Sequence, residues 1–267
     1  MGELSGATIG VTAERRAEEF IDALRRHGAT VRHAPTLRIV PLAGDERLRA
    51  ATEEVLAAPV DLVAVTTGAG FRGWLTAAGG WGLGASLVDC LSAARLFVRG
   101  PKAMGAVRGH GLREEWSAPG ESNAELFDRL RAEDLDGRRV VVQLHGTPLP
   151  EHTGALARRG ARVLEVQPYR WQWPDDLGPA RSLVSDVIAG GVDALAFTSA
   201  PAAANLLTLA REAGRFDEFV AALGRVLCAC VGPVTAAPLA EVGVRTVQPE
   251  RQRLGALVKL LVAELRR

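Results

Sequence analysis

The sequence predicts an α/β fold built twice, as two similar lobes that each contain a parallel sheet. Short apolar runs alternate with segments whose apolar residues recur at helical spacing. Several of the runs are apolar throughout, which is typical of strands covered on both faces by helices. The same pieces of sequence also recur at one constant offset. These three observations together indicate two copies of a domain-sized unit.

The offset between matching pieces is 132 residues, as from Asp61 to Asp193. The matches spread over most of the chain and are Asp61–Thr67 with Asp193–Ser199, Arg99–Ala103 with Val231–Thr235, His27–Val31 with Arg159–Val163, and Gly111–Arg113 with Gly243–Arg245. This period is far longer than that of solenoid repeats, so the repeating unit is a domain and not a single hairpin.

Each copy alternates strands and helices. In the first copy the predicted strands are residues 7–12, a run from 30, 62–65 and 96–98. In the second copy they are 139–144, 162–166, 194–197, 227–231 and 244–247. A helix follows the first strand, with Ala17, Phe20, Ile21 and Leu24 on one face, and another begins near Pro148–Pro150, because proline is well placed in a first helical turn. An amphipathic helix closes the chain, with apolar residues between Leu254 and Leu265.

Composition restricts the function classes. Hydrophobic residues make up 48% and charged residues 24% of 267 residues, which excludes a disordered chain. The net charge of +1 argues against a nucleic-acid binder. No apolar run is long enough for a membrane span, and residues 1–8 do not resemble a secretory leader. Three cysteines without framework spacing fit a reducing compartment, so we expect a cytoplasmic protein.

Ligands of open parallel sheets bind beyond the carboxyl ends of the strands. The predicted strands end in small, polar or glycine residues, at Thr66–Gly68, Gly100–Pro101, His145–Thr147, Thr198–Ser199 and Gly232–Pro233. The helices that follow offer free N–H groups, which suit carboxylates or phosphates. Tight turns alone would also explain glycine and threonine there. Because the pattern occurs in both copies, we expect a binding cleft between two lobes.

Two other motifs are weaker candidates for a site. Gly68–Gly73 matches the G-x-G-x-x-G fingerprint of dinucleotide-binding proteins, but residues 87–91 look helical where a second strand should end, and the second copy lacks these glycines. The five histidines show no ligand spacing, so no metal site is expected, although His145 ends a strand.

Two kinds of residue remain as candidates at the strand ends. Tyr169 is the only tyrosine and lies at a strand end. The basic residues near predicted loops, most of which would simply be solvated, are Arg15, Arg16, Arg72, Arg99, Lys102, Arg108 and Arg170.

These residues resemble the uroporphyrinogen-III synthase family over essentially the whole chain. The segments that carry the resemblance are Gly28–Val31, Ala64–Thr67, Val98–Lys102, Ser122–Leu126, Arg159–Val163, Pro168–Arg170, Ala196–Ala200 and Val231–Ala236. Each segment is short, and their order, spacing and duplication make the resemblance specific.

The resemblance implies two flavodoxin-like lobes joined by a two-stranded linker. In that family the first strand–helix–strand unit of each copy crosses into the other lobe. One lobe would hold residues 1–38 and 172–267, and the other 41–168, with crossings at Arg38–Pro41 and Arg170–Pro174. The sequence pattern alone favours consecutive lobes, one per copy.

The resemblance also implies a lyase that needs no cofactor. The family cyclises the linear tetrapyrrole hydroxymethylbilane, inverts its last pyrrole ring and releases water. By motif position Tyr169 would donate the proton to the leaving hydroxyl, although an ordinary tyrosine pKa near 10 makes it a modest acid. The expected substrate-binding residues are Thr66, Thr67, Gly100, Lys102, Asn123, Thr198, Ser199, Gly232 and Thr235. Ala103 stands where the second copy has Thr235, which leaves Lys102 as a substitute.

The expected partners are few. Besides the tetrapyrrole, the preceding pathway enzyme would hand over the substrate, and we expect a monomer that binds neither nucleic acid nor a membrane. The alternative function is a tetrapyrrole-binding sensor without turnover, since some proteins of this fold are joined to DNA-binding domains. No helix-turn-helix segment or basic stretch follows the last predicted helix, which favours the enzyme.

Overall fold

The computed structural model describes residues 2–14 and 16–266. Three residues lie outside this description: the basic candidate Arg15, and Met1 and Arg267, which are the two ends of the predicted lobe 1–38 and 172–267. The strands are β1 (Thr8–Val11), β2 (Thr30–His33), β3 (Arg38–Pro41), β4 (Leu62–Val65), β5 (Arg95–Val98), β6 (Glu114–Ser117), β7 (Arg139–Gln143), β8 (Arg162–Val166), β9 (Tyr169–Gln172), β10 (Ala194–Phe197) and β11 (Leu227–Cys230). The helices are α1 (Ala17–Arg26), α2 (Glu46–Leu56), α3 (Gly68–Gly80), α4 (Gly84–Ser92), α5 (Pro101–Arg108), α6 (Asn123–Arg131), α7 (Pro150–Ala157), α8 (Gly178–Ile188), α9 (Ala200–Glu212), α10 (Phe216–Leu223), α11 (Pro233–Ala240) and α12 (Leu254–Leu265).

The chain forms two compact units. Unit 1 consists of Met1–Arg38 with Gln172–Arg267, and unit 2 of Ile39–Trp171. Unit 1 contains a parallel sheet of order β11-β10-β1-β2, and unit 2 a parallel sheet of order β6-β5-β4-β7-β8. Strands β3 and β9 form a separate two-stranded sheet. The predicted α/β class with two parallel sheets is confirmed.

Strand pairing departs from the consecutive arrangement that the pattern alone favours. β1 pairs with β10, and the Thr8 N–H donates to the carboxylate of Asp193, 185 residues away. β7 pairs with β4 in the same way, across the copies. Pairing over such separations leaves no local signal in the sequence, which is why periodicity could not predict it.

Burial on both faces explains the uninterrupted apolar strands. In β4, Val63 and Val65 pack into the core around Trp74, while Leu62 and Ala64 pack into the opposite core around Phe127. β10 divides between two cores of unit 1 in the same alternating way. Each fully buried side chain of this size contributes about 1.5–3 kcal/mol, so both faces of each sheet are needed for stability.

Two strand predictions differ from the structure. β6 was not predicted, because its sequence Glu-Glu-Trp-Ser has no apolar run, and it lies at the edge of its sheet. The predicted strand 244–247 is reduced to one bridge between Val247 and Ala229. Pairing is confined to Val247, which exchanges backbone hydrogen bonds with Cys228 and Cys230.

The first strands of the two copies align one residue away from the general offset. The carboxylate of Asp193 accepts from the Thr8 N–H at 2.7 Å, and that of Asp61 accepts from the Arg139 N–H at 2.9 Å. Thr8 and Arg139 therefore hold the same place in their sheets. It follows that Thr12, after β1, occupies the place of Gln143 at the end of β7.

Candidate functional site

The carboxyl ends of the unit 2 strands hold a network built on Gln143. Its backbone oxygen accepts from the Thr66 hydroxyl at 2.7 Å, and its side-chain oxygen accepts from the Thr67 N–H at 3.1 Å. Thr66 is fully buried, so its hydroxyl is used inside the sheet. The network fixes the loop between β4 and α3 against the end of β7.

Thr67 connects this network to the predicted acid. Its hydroxyl oxygen caps α3 by accepting from the Gly70 N–H at 3.2 Å, and the same oxygen lies 3.2 Å from the phenolic oxygen of Tyr169. Tyr169 is only 8% exposed and begins β9. The arrangement holds two hydroxyl groups together at the amino end of a helix, where the helix dipole favours negative charge.

Close packing accounts for Gly68 and Gly70 of the dinucleotide-like motif. A Cβ at Gly68 would overlap the carbonyl oxygen of Lys102, and one at Gly70 would overlap the side-chain amide of Gln143. These glycines allow α3 to approach α5 and the end of β7. Residues 87–91 are helical, as expected, and end no strand. The first two glycines of the motif thus serve packing in this chain.

Arg99 and His145 lie within electrostatic range of one another. Arg99 follows β5 and is half-buried, and burial lowers the pKa of its guanidinium, while the charges of Tyr169 and Glu121 act in the opposite direction. Burial, followed by the positive charge of Arg99, lowers the pKa of His145 to about 4. His145 is therefore neutral near pH 7.

The side chain of His145 lacks a hydrogen bond where one is expected. Its Nδ1 atom is buried and has no hydrogen-bond partner among residues 2–14 and 16–266. The ring packs edge-on against Trp171, with centroids 5.1 Å apart. A buried polar atom without a partner costs free energy, so the position is a candidate for contact with a ligand.

The other unit 2 candidates begin helices. Gly100 precedes α5 in an extended conformation, and a Cβ there would lie 3.0 Å from Cγ of Glu121. Lys102 is exposed in the first turn of α5. Asn123 begins α6 after the capping residue Ser122, and its Oδ1 is buried without a partner among the described residues.

The remaining candidates lie in unit 1. Ser199, after Thr198, precedes α9, and its side chain makes no capping hydrogen bond. Gly232 precedes α11, where a Cβ would lie 2.5 Å from Oε1 of Gln252, and Thr235 is buried in the first turn. The structure therefore places six candidates in unit 2 with Tyr169 among them, and four in unit 1.

Sequence reasoning missed Gln143, which organises the unit 2 network. A polar residue at the end of the apolar run Val140–Val142 was the available signal.

Among the residues that the structure describes, no group of three or more His, Cys, Asp or Glu side chains could hold a metal ion. Burial raises the pKa of the Cys228 and Cys230 thiols to about 12, which makes them unreactive. Within the same described residues, no helix is long and apolar enough to span a bilayer.

Known proteins are similar to this chain in sequence. A family model described as Uroporphyrinogen-III synthase HemD matches residues 18–259. A Bacillus subtilis (strain 168) protein named Uncharacterized protein YjjA is 30% identical over 260 residues, which cover 96% of this chain and 94% of that protein.

Solved structures of Thermus thermophilus proteins are similar as well. A mutant uroporphyrinogen III synthase from this extremely thermophilic bacterium is 30% identical with a TM-score of 0.79, over 97% of this chain and 99% of that one. Another structure of the Thermus thermophilus uroporphyrinogen III synthase is 34% identical with a TM-score of 0.61, over the same shares of the two chains. With a family model that spans most of its length and relatives that match in fold, this chain belongs to the uroporphyrinogen-III synthase family.

Proposed function

We propose that the protein closes hydroxymethylbilane into uroporphyrinogen III, with the last pyrrole ring inverted and one water released. The observation that carries the proposal is the placement of the lone tyrosine. Its phenolic oxygen lies 3.2 Å from the Thr67 hydroxyl, at the strand ends where ligands of parallel sheets bind. Family membership supports this reaction, and the geometry supports Tyr169 as its acid.

The first step is loss of the terminal hydroxyl group. Tyr169 donates its phenolic proton to the leaving oxygen, which departs as water and leaves an electrophilic azafulvenium cation. The phenolate that results lies beside the Thr67 hydroxyl and the amino end of α3, both of which favour negative charge. A positioned proton donor of this kind contributes typically about 10²–10⁴-fold in rate.

Ring inversion is chiefly a matter of position. The last pyrrole attacks this cation through its substituted carbon and forms a spiro intermediate. The bond from that carbon to its original methylene bridge then breaks, which leaves an azafulvenium cation on the neighbouring pyrrole, and the unsubstituted α-carbon of the last ring closes onto it in the inverted sense. The proton released when that pyrrole regains aromaticity returns to the phenolate, so the enzyme ends as it began. Holding the reacting carbons together can contribute more than proton donation does.

Carboxylate binding would hold the substrate curled. In unit 2 we assign it to the Thr67 and Gly100 loops, with Lys102 and Asn123 beside them, and in unit 1 to Thr198, Ser199, Gly232 and Thr235. The hydroxyl of Thr66 already donates to Gln143, so we assign Thr66 a positioning role. Hydrogen-bond donors at helix starts suit carboxylates without a cofactor. We further propose that the protein acts as a monomer and receives its substrate from the enzyme that makes it.

Isomer analysis tests the proposal. The protein is incubated with freshly prepared hydroxymethylbilane, and the products are oxidised and separated. We expect the type III isomer. The spontaneous type I isomer alone would overturn the proposal and favour the sensor.

The acid is tested by Tyr169→Phe, which should lower kcat about 100-fold with little change in melting temperature. Thr208→Val is the matched control, because it removes one hydroxyl from α9 that donates only to the Ala204 carbonyl within its helix. A Tyr169→Phe protein with the full rate would remove Tyr169 from its role.

A further inference from the structure

We propose that Arg99 forms a carboxylate-binding subsite beside Tyr169, which takes one carboxylate of the substrate. This inference rests on the proposed function for the identity of the ligand. The backbone N–H groups at the helix starts would not provide this charged contact between Arg99 and a substrate carboxylate.

The position of Arg99 is the first observation. It immediately follows β5 in the loop before α5, and its backbone N–H donates to the Val65 carbonyl at 3.0 Å. This bond fixes the residue next to the end of β4, whose loop carries Thr67. The charge of Tyr169 acts on the pKa of the Arg99 guanidinium in the direction opposite to burial, which is consistent with this position.

The second observation is the lack of a partner for the guanidinium. Within residues 2–14 and 16–266, the Arg99 side chain makes no ion pair and no hydrogen bond. Arg95 at the start of the same strand is the opposite case, because it binds Glu115 at 2.5 Å and Glu133 at 2.7 Å. Arg95 is exposed and fully paired, while Arg99 is half-buried and unpaired.

A half-buried cation without a hydrogen-bonded anion is costly, and a carboxylate relieves that cost with two parallel hydrogen bonds. Neutral His145 adds no competing charge, and its buried Nδ1 atom has no partner among the described residues. The guanidinium and the imidazole are within electrostatic range of each other.

Glu121 supplies the negative charge in the absence of a ligand. Its charge acts on Arg99 without an ion pair between them, and its side chain lies against Gly100. Its backbone has a φ of 57°, a conformation that non-glycine residues rarely adopt. A substrate carboxylate would replace Glu121 as the counter-charge of Arg99. Removing Glu121's charge should therefore strengthen binding, while removing that of Arg99 should weaken it.

The test measures the affinity of the full chain for uroporphyrin III, a stable octacarboxylate, by fluorescence titration. Arg99→Met should weaken binding about 10–100-fold, the size of a lost charge-assisted hydrogen-bond pair. Arg99→Lys should recover part of the loss. Glu121→Gln should tighten binding about 2–5-fold. Arg108→Met is the matched control, because Arg108 pairs with Glu114 at the other end of α5, and it should change the affinity less than twofold.

Salt dependence separates this role from a structural one. Binding by the unsubstituted protein should weaken as ionic strength rises, and the slope should be smaller in Arg99→Met, since one charge contact is gone. An Arg99→Met protein with unchanged affinity and slope overturns the subsite. That result would leave the proposed function standing if the unsubstituted protein still forms the type III isomer. Arg99-dependent binding without turnover would support the subsite and refute only the enzyme.

Discussion

The loops that follow β4 in unit 2 and β10 in unit 1 are built differently on the same strand order. In unit 2, Thr67 caps α3 and is held by Gln143 and Tyr169. In unit 1, Ser199 precedes α9 without a side-chain cap. Thr12 occupies the place of Gln143, and its hydroxyl is fully buried with no partner among the described residues.

The difference extends to the residues proposed to act on the substrate. By the offset of 132, Leu37 stands where unit 2 has Tyr169, and Val231 stands where it has Arg99. The strand-end loop of unit 2 thus has a polar network that includes the proposed acid, and the loop of unit 1 has small polar residues without a tyrosine. The comparison teaches that similar topology does not divide the chemistry evenly, and that unit 2 holds the proposed proton transfer.

The largest expected effect is the loss of stability when Gly68, at the start of α3, is substituted. Gly68→Ala should destabilise unit 2 by about 3 kcal/mol, because the new methyl group overlaps the Lys102 carbonyl and backbone must shift. Ala200 begins α9 at the matching position, and Ala200→Gly should cost about 1 kcal/mol or less. Thermal melting, with hydrogen exchange of the β4 and β10 amides to locate the change, measures both. Equal effects would show that the two helix starts are packed alike.

Substitutions at Gln143 and at Thr12 should change the stability of their units in opposite directions. Gln143→Leu removes the acceptor of the Thr67 N–H and should destabilise unit 2 by about 2 kcal/mol. Thr12→Val removes a buried hydroxyl without a partner among the described residues and should stabilise unit 1 by about 1 kcal/mol. Denaturant unfolding followed by amide exchange in β7 and β1 checks the signs. A destabilised Thr12→Val protein would mean that its hydroxyl has a partner in solution.

The third expected effect is a dependence of the stability of unit 2 on pH. His145 has a folded pKa of about 4, below the ordinary value of 6.5, so the unfolded chain binds a proton over that interval and the folded chain does not. Stability should fall as the pH drops from 6.5 to 4. Because the ring is partly exposed, we expect a loss of about 1–2 kcal/mol. His145→Asn should reduce the fall, as measured by exchange of the β7 amides, and an unchanged pH profile would contradict the assignment.

Strand boundaries could be predicted from the sequence where a strand is a mostly apolar run. β8 and β10 have the predicted boundaries, and β10 is buried along its whole length, as its uninterrupted apolar sequence indicates. β6 was missed because a polar edge strand resembles a loop. The extent of the strand predicted at 244–247 was overestimated because apolar residues do not show whether a neighbouring strand is available.

The candidate site was only partly predictable for a related reason. Position beyond strand ends pointed to Thr67 and Tyr169, but the link through Gln143 joins residues 76 positions apart. Arg99 could not be distinguished from solvated arginines by sequence. It differs from them in having no paired carboxylate, and only the fold shows which carboxylates lie close to an arginine. Spatial partners of this kind are not encoded in local spacing.

The placement of β1 has a consequence for synthesis on the ribosome. β1 lies between β2 and β10, so the first 38 residues cannot complete their sheet until a segment beginning near Ala194 has been translated. At about 5–20 residues per second this delay is about 8–30 s. Unit 2 is continuous in sequence and is fully translated during that interval. The edge of β1 that pairs with β10 therefore stays open during that interval, and a chaperone that binds apolar strands would act on β1 first.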